Sequence, residues 1–182
     1  EGAPTLVTTF MATVVKMAAF AALFRFVTMI GMPAAVGKAL LLIAIVTLLV
    51  GNITALRQSH FKRLMAYSSI AHSGFLLMAI LSNSANTPSV LFYYTFTYAL
   101  ATVGLFIVFT VAKRAANGDE HIRIFRGLFR SQPWIGVMLL VMMLSLAGIP
   151  PFAGFFAKVN VFMLALGAGQ IGLTVFAVVM AL

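Results

Sequence analysis

Apolar residues run almost unbroken through five stretches of the chain, 4–30, 33–56, 63–81, 88–112 and 133–166, and a sixth opens at 170–182. A helix needs about 20 apolar residues to cross a hydrocarbon slab about 30 Å thick. The stretches lack the short, alternating polarity of barrel strands. The pattern therefore predicts an all-α polytopic membrane protein with five complete transmembrane helices and part of a sixth. Three of the stretches open at or beside a proline, Pro33, Pro88 and Pro133, where the missing N–H costs a helix nothing. The chain starts with Glu1 and its last apolar run ends without a polar flank, so residues 1–182 are read as one transmembrane domain within a longer chain.

One stretch is unlike the rest. Near its midpoint it reads Leu146-Ala147-Gly148-Ile149-Pro150-Pro151-Phe152-Ala153-Gly154, and the doubled proline removes backbone hydrogen bonds at membrane depth. Unpaired carbonyls there are tolerated only where protein or water meets them, so a broken helix, with Gly148, Pro150, Pro151 and Gly154 at the break, points to a transport site. A kink made only for packing is the plain alternative.

The polar interruptions set the topology. Alternate threading puts the loops 57–62 and 113–132 on one side. The second holds Lys113, Arg114, Arg123, Arg126 and Arg130 against Asp119 and Glu120, whereas 82–87 opposite holds no charge. The bias of basic residues makes the loaded side cytoplasmic. Arg25 and Lys38, near the other face, run against this. Within 121–130, Ile122, Phe125, Leu128 and Phe129 recur at roughly helical spacing with arginines between, which predicts a short interfacial helix.

Composition agrees with the pattern. The chain is 63% hydrophobic and 8% charged, with mean hydropathy +1.11, far more apolar surface than a water-soluble domain hides. A net charge of +9 raises nucleic acid as a partner. The basic residues sit in inter-helix loops without an aromatic-interleaved stripe, so the lipid bilayer is the expected partner and nucleic acid is not. Without cysteine, disulfides, iron–sulfur clusters and thiolate metal sites are excluded within the chain. No carboxylate lies in any span and His60, His72 and His121 lack metal-ligand spacing, so no metal or cofactor site is expected.

Against that background two amines stand out. Lys16 and Lys158 lie deep in apolar runs, and an ionisable group inside a membrane marks a functional site by default. The proton affinity of a buried amine is set by desolvation and neighbouring charge, so such a group suits proton relay better than fixed anion binding. Snorkelling to an interface is the alternative. His72, near the middle of the third span beside Ser68, Ser69 and Ser73, is either a neutral relay between amines or a packing residue. Tyr94, Tyr98 and Thr102, spaced by four on one helix face, are candidate water-ordering hydroxyls or helix glue. Lys62, at the edge of its helix, is expected to contact headgroups.

Taken together, EGAPTLVTTFMATVVK, HFKRLMAYSSIAHSGFLLMAI and MLSLAGIPPFAGFFAKVNVF resemble the antiporter-like membrane subunits of respiratory complex I, NADH:quinone oxidoreductase, in particular its N type, counterpart of mitochondrial subunit 2. The resemblance covers essentially the whole chain. It implies helices eight to twelve and part of thirteen of a fold of about fourteen, with the family's central relay lysine on Lys16 and its broken twelfth helix at 148–154. The terminal relay lysine falls on Lys158, where M-type relatives usually carry glutamate, and Tyr98 stands where those relatives tend to have histidine. Two further relay residues, a glutamate and a lysine, are implied upstream of Glu1. The function so implied is proton translocation through a lysine, histidine and water relay coupled to quinone reduction elsewhere. NADH, FMN, iron–sulfur clusters and quinone then belong to partner subunits of the complex, in a bacterial plasma membrane or an organelle inner membrane. A related cation/proton antiporter or membrane-bound hydrogenase, and a structural membrane module whose lysines pair with partner carboxylates, are the alternatives.

Overall fold

The computed structural model describes residues 3–181, and the described residues form helices joined by short loops, with a single two-residue strand pairing. The first helix runs Thr5–Ile30 as α1 (Thr5–Phe10), a π-helical turn (Met11–Val15) and α2 (Lys16–Ile30). Thr9 and Thr13 donate their hydroxyls to the carbonyls of Thr5 and Thr9 at 2.8 and 2.7 Å, back-bonding that competes with the regular ladder just before and within the π turn. Gly31, at φ +80°, ends the helix, and Pro33 opens α3 (Ala34–Ala55). α4 spans Phe61–Leu81 and α5 spans Thr87–Ala115. A short helix α6 (Leu128–Ser131) leads into α7 (Pro133–Ala147), and the chain ends with α8 (Ala153–Gly167) and α9 (Ile171–Ala181).

Among the described residues four helices are long and apolar enough to cross a membrane, and the shorter apolar helices α7 and α8 follow one another across the Gly148–Phe152 interruption. The apolar window of Thr87–Ala115 is 61% buried and that of Thr5–Ile30 only 11%. α5 is therefore central and the first helix peripheral. α3 packs most extensively on α4, and small residues allow it: a side chain on Gly51 would come within 2.9 Å of the Ala71 Cα, and one on Gly74 within 2.6 Å of Leu48. Close backbone approach is the usual way apolar helices associate in lipid.

The interior is layered. One apolar cluster gathers Leu48 of α3, Phe75–Ile80 of α4, Leu91 of α5, and Ala157 and Val161 of α8. A second, nearer the basic loops, gathers Phe61 and Met65 with Leu105, Phe106 and Phe109, the Phe61 and Phe109 rings stacking at 4.6 Å. Between these levels α4 and α5 carry Ser69, His72, Tyr98 and Thr102. A polar stratum thus lies at mid-depth between two dry ones.

The two basic loops are tied to each other. His60 and His121 form an antiparallel bridge, Phe61 N–H donates to the Glu120 carbonyl at 3.0 Å and Ile122 N–H to that of Ser59 at 2.9 Å. In place of one interfacial helix over 121–130 there is a 3-10 turn, Ile122–Phe125, and then the single turn of α6, because Gly127 adopts φ +78° and interrupts the helical path. Lys62 does not reach for headgroups. It is buried, its ammonium 2.8 Å from Glu120 Oε1 and 3.1 Å from the Ala3 carbonyl, and Lys113 meets the same carboxylate oxygen at 2.6 Å.

Hydrogen bonds from Lys113 and then Lys62 hold the Glu120 carboxyl below its ordinary value. A carboxylate with a depressed pKa contributes stability that is present above the unfolded value and lost as pH falls through the folded one. The loop tie is accordingly intact at neutral pH and weakens only below about pH 4. Glu120→Gln should raise amide exchange at Phe61 and Ile122 about fivefold at pH 7, as expected from losing about 1 kcal/mol. Unchanged exchange would show that the backbone pairing holds without the ion pairs.

Candidate functional site

The polar stratum brings α2, α4, α5 and the α7–α8 break together. Lys16 leaves the chain directly after the π turn, a helix irregularity frequent at functional positions. Its ammonium donates to the Ser69 carbonyl at 2.7 Å and to the Ser69 hydroxyl at 3.2 Å, and lies 4.2 Å from the centroid of the Tyr98 ring. Carbonyl, hydroxyl and π-face together replace water around the charge without a counter-ion among the described residues. Ser73 also donates its hydroxyl to the Ser69 carbonyl, at 2.9 Å.

The opposite side of this group holds His72. Its ring centroid is 4.8 Å from that of Tyr98, and its Nδ1 is 2.8 Å from the Tyr94 hydroxyl. Either partner can be the donor in that bond, depending on the tautomer. Tyr98 thus contacts both the Lys16 ammonium and the His72 imidazole. The hydroxyls of Tyr98 and Thr102 are buried in the same stratum. Beside them His72, Tyr94, Thr97, Tyr98 and Ser145 border a cavity of about 10 Å³, on the order of the space one water molecule requires.

Lys158 sits across the break. It is 8% exposed, its ammonium donates to the Ala147 carbonyl at 2.7 Å and stands 5.4 Å from the Phe75 ring centroid. Ala147 ends α7, so its carbonyl is one of those a helix terminus leaves unpaired. Gly148, at φ +81°, makes room: a side chain there would lie 2.8 Å from the Lys158 stem. Lys158, His72 and Ser68 line one open cleft of about 850 Å³ with Asn52, and the Tyr98 ring links His72 to Lys16. Three ionisable groups from three helices are therefore gathered where no carboxylate lies nearby among the described residues.

Two contributors are absent from the sequence reading. Ser145 accepts a hydrogen bond from the Gly154 N–H at 3.2 Å, and the Ala147 carbonyl receives Lys158. Ser145 is the one hydroxyl in the otherwise apolar run PWIGVMLLVMMLSLA, which is the signal that marks it. No group of three or more metal-ligating side chains occurs among the described residues.

Comparison with known proteins sets this arrangement in a family. The profile described as "NADH:quinone oxidoreductase/Mrp antiporter, TM" matches residues 1–182. NADH-quinone oxidoreductase subunit N of Methylovorus glucosotrophus is 39% identical over 100% of this chain, and that of Deinococcus radiodurans 43% identical over 98%. The chain spans 38% and 36% of those two proteins. Among solved structures, respiratory complex I from Thermus thermophilus with bound aureothin contains a chain 41% identical, at TM-score 0.82, over 99% of this chain and 39% of that one. A chain of the Mrp complex from Dietzia sp. shares the fold at TM-score 0.80 and 24% identity, over 91% of this chain and 31% of its own. Fold, sequence and profile agree, and the chain belongs to the NADH:quinone oxidoreductase/Mrp antiporter family of transmembrane subunits.

Proposed function

We propose that this chain forms the second half of a proton path in the membrane arm of an NADH:quinone oxidoreductase, with Lys16, His72 and Lys158 as its proton-carrying groups. The observation that carries the reading is the polar stratum itself, in which two ammonium groups without a counter-ion among the described residues flank an imidazole between two apolar layers. An amine without a fixed carboxylate partner exchanges its proton when a neighbouring charge changes, whereas a salt-bridged one is locked. A proton leaving Lys16 enters at one nitrogen of His72 by way of water, the imidazole releases one from its other nitrogen, and Lys158 receives it. The relatives named as subunit N of NADH-quinone oxidoreductase support the coupling to quinone reduction. NADH, FMN, iron–sulfur clusters and quinone then lie in partner subunits, the neighbouring membrane subunits and lipid cover the peripheral helices, and the basic loops face the cytoplasm of a bacterial membrane or its organellar equivalent.

The test is proton uptake by inverted vesicles whose complex carries His72→Phe, measured against NADH oxidation by the same complex. Phenylalanine keeps the ring and removes both nitrogens. Proton flux through this subunit should fall by about a hundredfold, the lower end of the range ascribed to a positioned acid–base group. An unchanged proton-to-electron ratio would remove His72 from the path.

A further inference from the structure

We infer that Ser145 is a positioning residue for Lys158, acting through a reciprocal pair of side-chain-to-backbone hydrogen bonds across the broken helix. The inference rests on the proposed proton path and adds a component to it.

The break separates two helix ends: α7 closes on Gly148, whose N–H donates to the Ser145 carbonyl at 3.1 Å while the Ile149 N–H donates to that of Leu144 at 3.1 Å, whereas α8 lacks a cap of its own. α8 begins after Phe152, whose side chain has no oxygen and makes no capping bond. A helix N-terminus exposes N–H groups that a Ser, Thr, Asp or Asn at the N-cap ordinarily satisfies. Here the oxygen comes from the other helix: Ser145 Oγ, nine residues earlier, accepts from the Gly154 N–H at 3.2 Å. At the other end α7 stops at Ala147 with its carbonyl outside the ladder, and Lys158 of α8 donates to it at 2.7 Å. A cation at a helix C-terminus is also favoured by the helix dipole. Each half-helix therefore supplies a side chain to a backbone group that its neighbour's end leaves unpaired.

The two bonds are mechanically coupled. A Cβ on Gly154 would overlap the Ser145 carbonyl oxygen, and one on Gly148 would lie 3.1 Å from Lys158 Nζ. Backbone meets backbone at Gly154, so no side chain buffers movement of one half against the other. The spacing set by the Ser145 bond thus fixes the distance from the Ala147 carbonyl to the Lys158 ammonium. Ser145 itself is buried, and it borders the same small cavity as His72 and Tyr98. Of the helices packed on α8, α4 brings His72 to the cleft that Lys158 lines and α5 carries Tyr94 and Tyr98, while α7 and α9 carry no titratable group.

The experiment is proton pumping against NADH oxidation as a function of pH, in the complete membrane complex carrying Ser145→Ala, Ser145→Thr or Ser145→Cys, with Lys158→Ala alongside. Ser145→Ala should assemble, lose about half of the flux through this subunit or more, and move the pH midpoint of pumping by about half a unit or more. Ser145→Thr, which keeps the hydroxyl, should restore the midpoint. A wild-type midpoint in Ser145→Ala, with Lys158→Ala inactive, would overturn the positioning role and leave the proton path standing. Full pumping in Lys158→Ala would remove the path and this role with it. If Ser145→Ala fails to assemble, Ser145→Cys decides: its thiol is a weaker acceptor of similar shape, and an unmoved midpoint overturns the inference.

Discussion

Replacing Lys16 by methionine should cut proton flux through this subunit about thirtyfold, and the proton-to-electron ratio of the whole complex by at least this subunit's share. The magnitude follows from coupling. Unit charges on adjoining helices about 8 Å apart interact by roughly 2 kcal/mol at an effective dielectric of 20, which is about thirtyfold in a rate. Methionine retains the length and apolar stem of lysine and loses only the ammonium that donates to Ser69 and faces Tyr98. Lys16→Arg separates the relay from its structural rival. Arginine stays charged at any working pH, so a lysine that merely pairs with a partner carboxylate would be rescued by it. A lysine that must release its proton would not. Vesicle pumping near wild type in Lys16→Met would sink the relay role, and rescue by arginine would assign Lys16 to assembly.

How the site is built was only partly visible in the residue pattern. Long apolar runs report helices in lipid directly, because every backbone polar group must be satisfied within its own segment. The doubled proline reports its own break. Lys16, His72 and Lys158 stand out because ionisable groups in such runs are costly. What the pattern conceals is pairing between distant residues. Lys16 meets Ser69 across 53 positions and Lys62 meets Ala3 across 59, and no periodicity encodes either contact. Lys62 sits at a helix edge in the sequence and is buried in the fold because Glu120, on the other loop, reaches it. The helix expected at 121–130 failed at Gly127, a residue whose left-handed conformation only the loop geometry selects. The π turn before Lys16 has no compositional mark beyond the threonines that bond back along the helix.

Gly154→Ala should be the substitution most damaging to the fold. The new methyl would overlap the Ser145 carbonyl oxygen and lie 2.7 Å from its carbon. These are backbone atoms near the end of α7, so no rotamer change relieves the contact, and the half-helices must separate. Overpacking in a close-packed interior costs about 1–3 kcal/mol where side chains can yield; against main chain the cost should lie at or above the top of that range. Separation would also lengthen the Gly154 to Ser145 hydrogen bond and draw the Ala147 carbonyl away from Lys158. The level of assembled complex in the membrane should therefore drop several-fold, and the complex that remains should pump poorly for each NADH oxidised. Gly167→Ala is the control: it ends the same helix with nothing within 4 Å of the added methyl, and it should assemble and pump like the parent. Equal assembly of the two variants would mean that the break is slack enough to admit a side chain, and a slack break could not hold Lys158 against a single carbonyl.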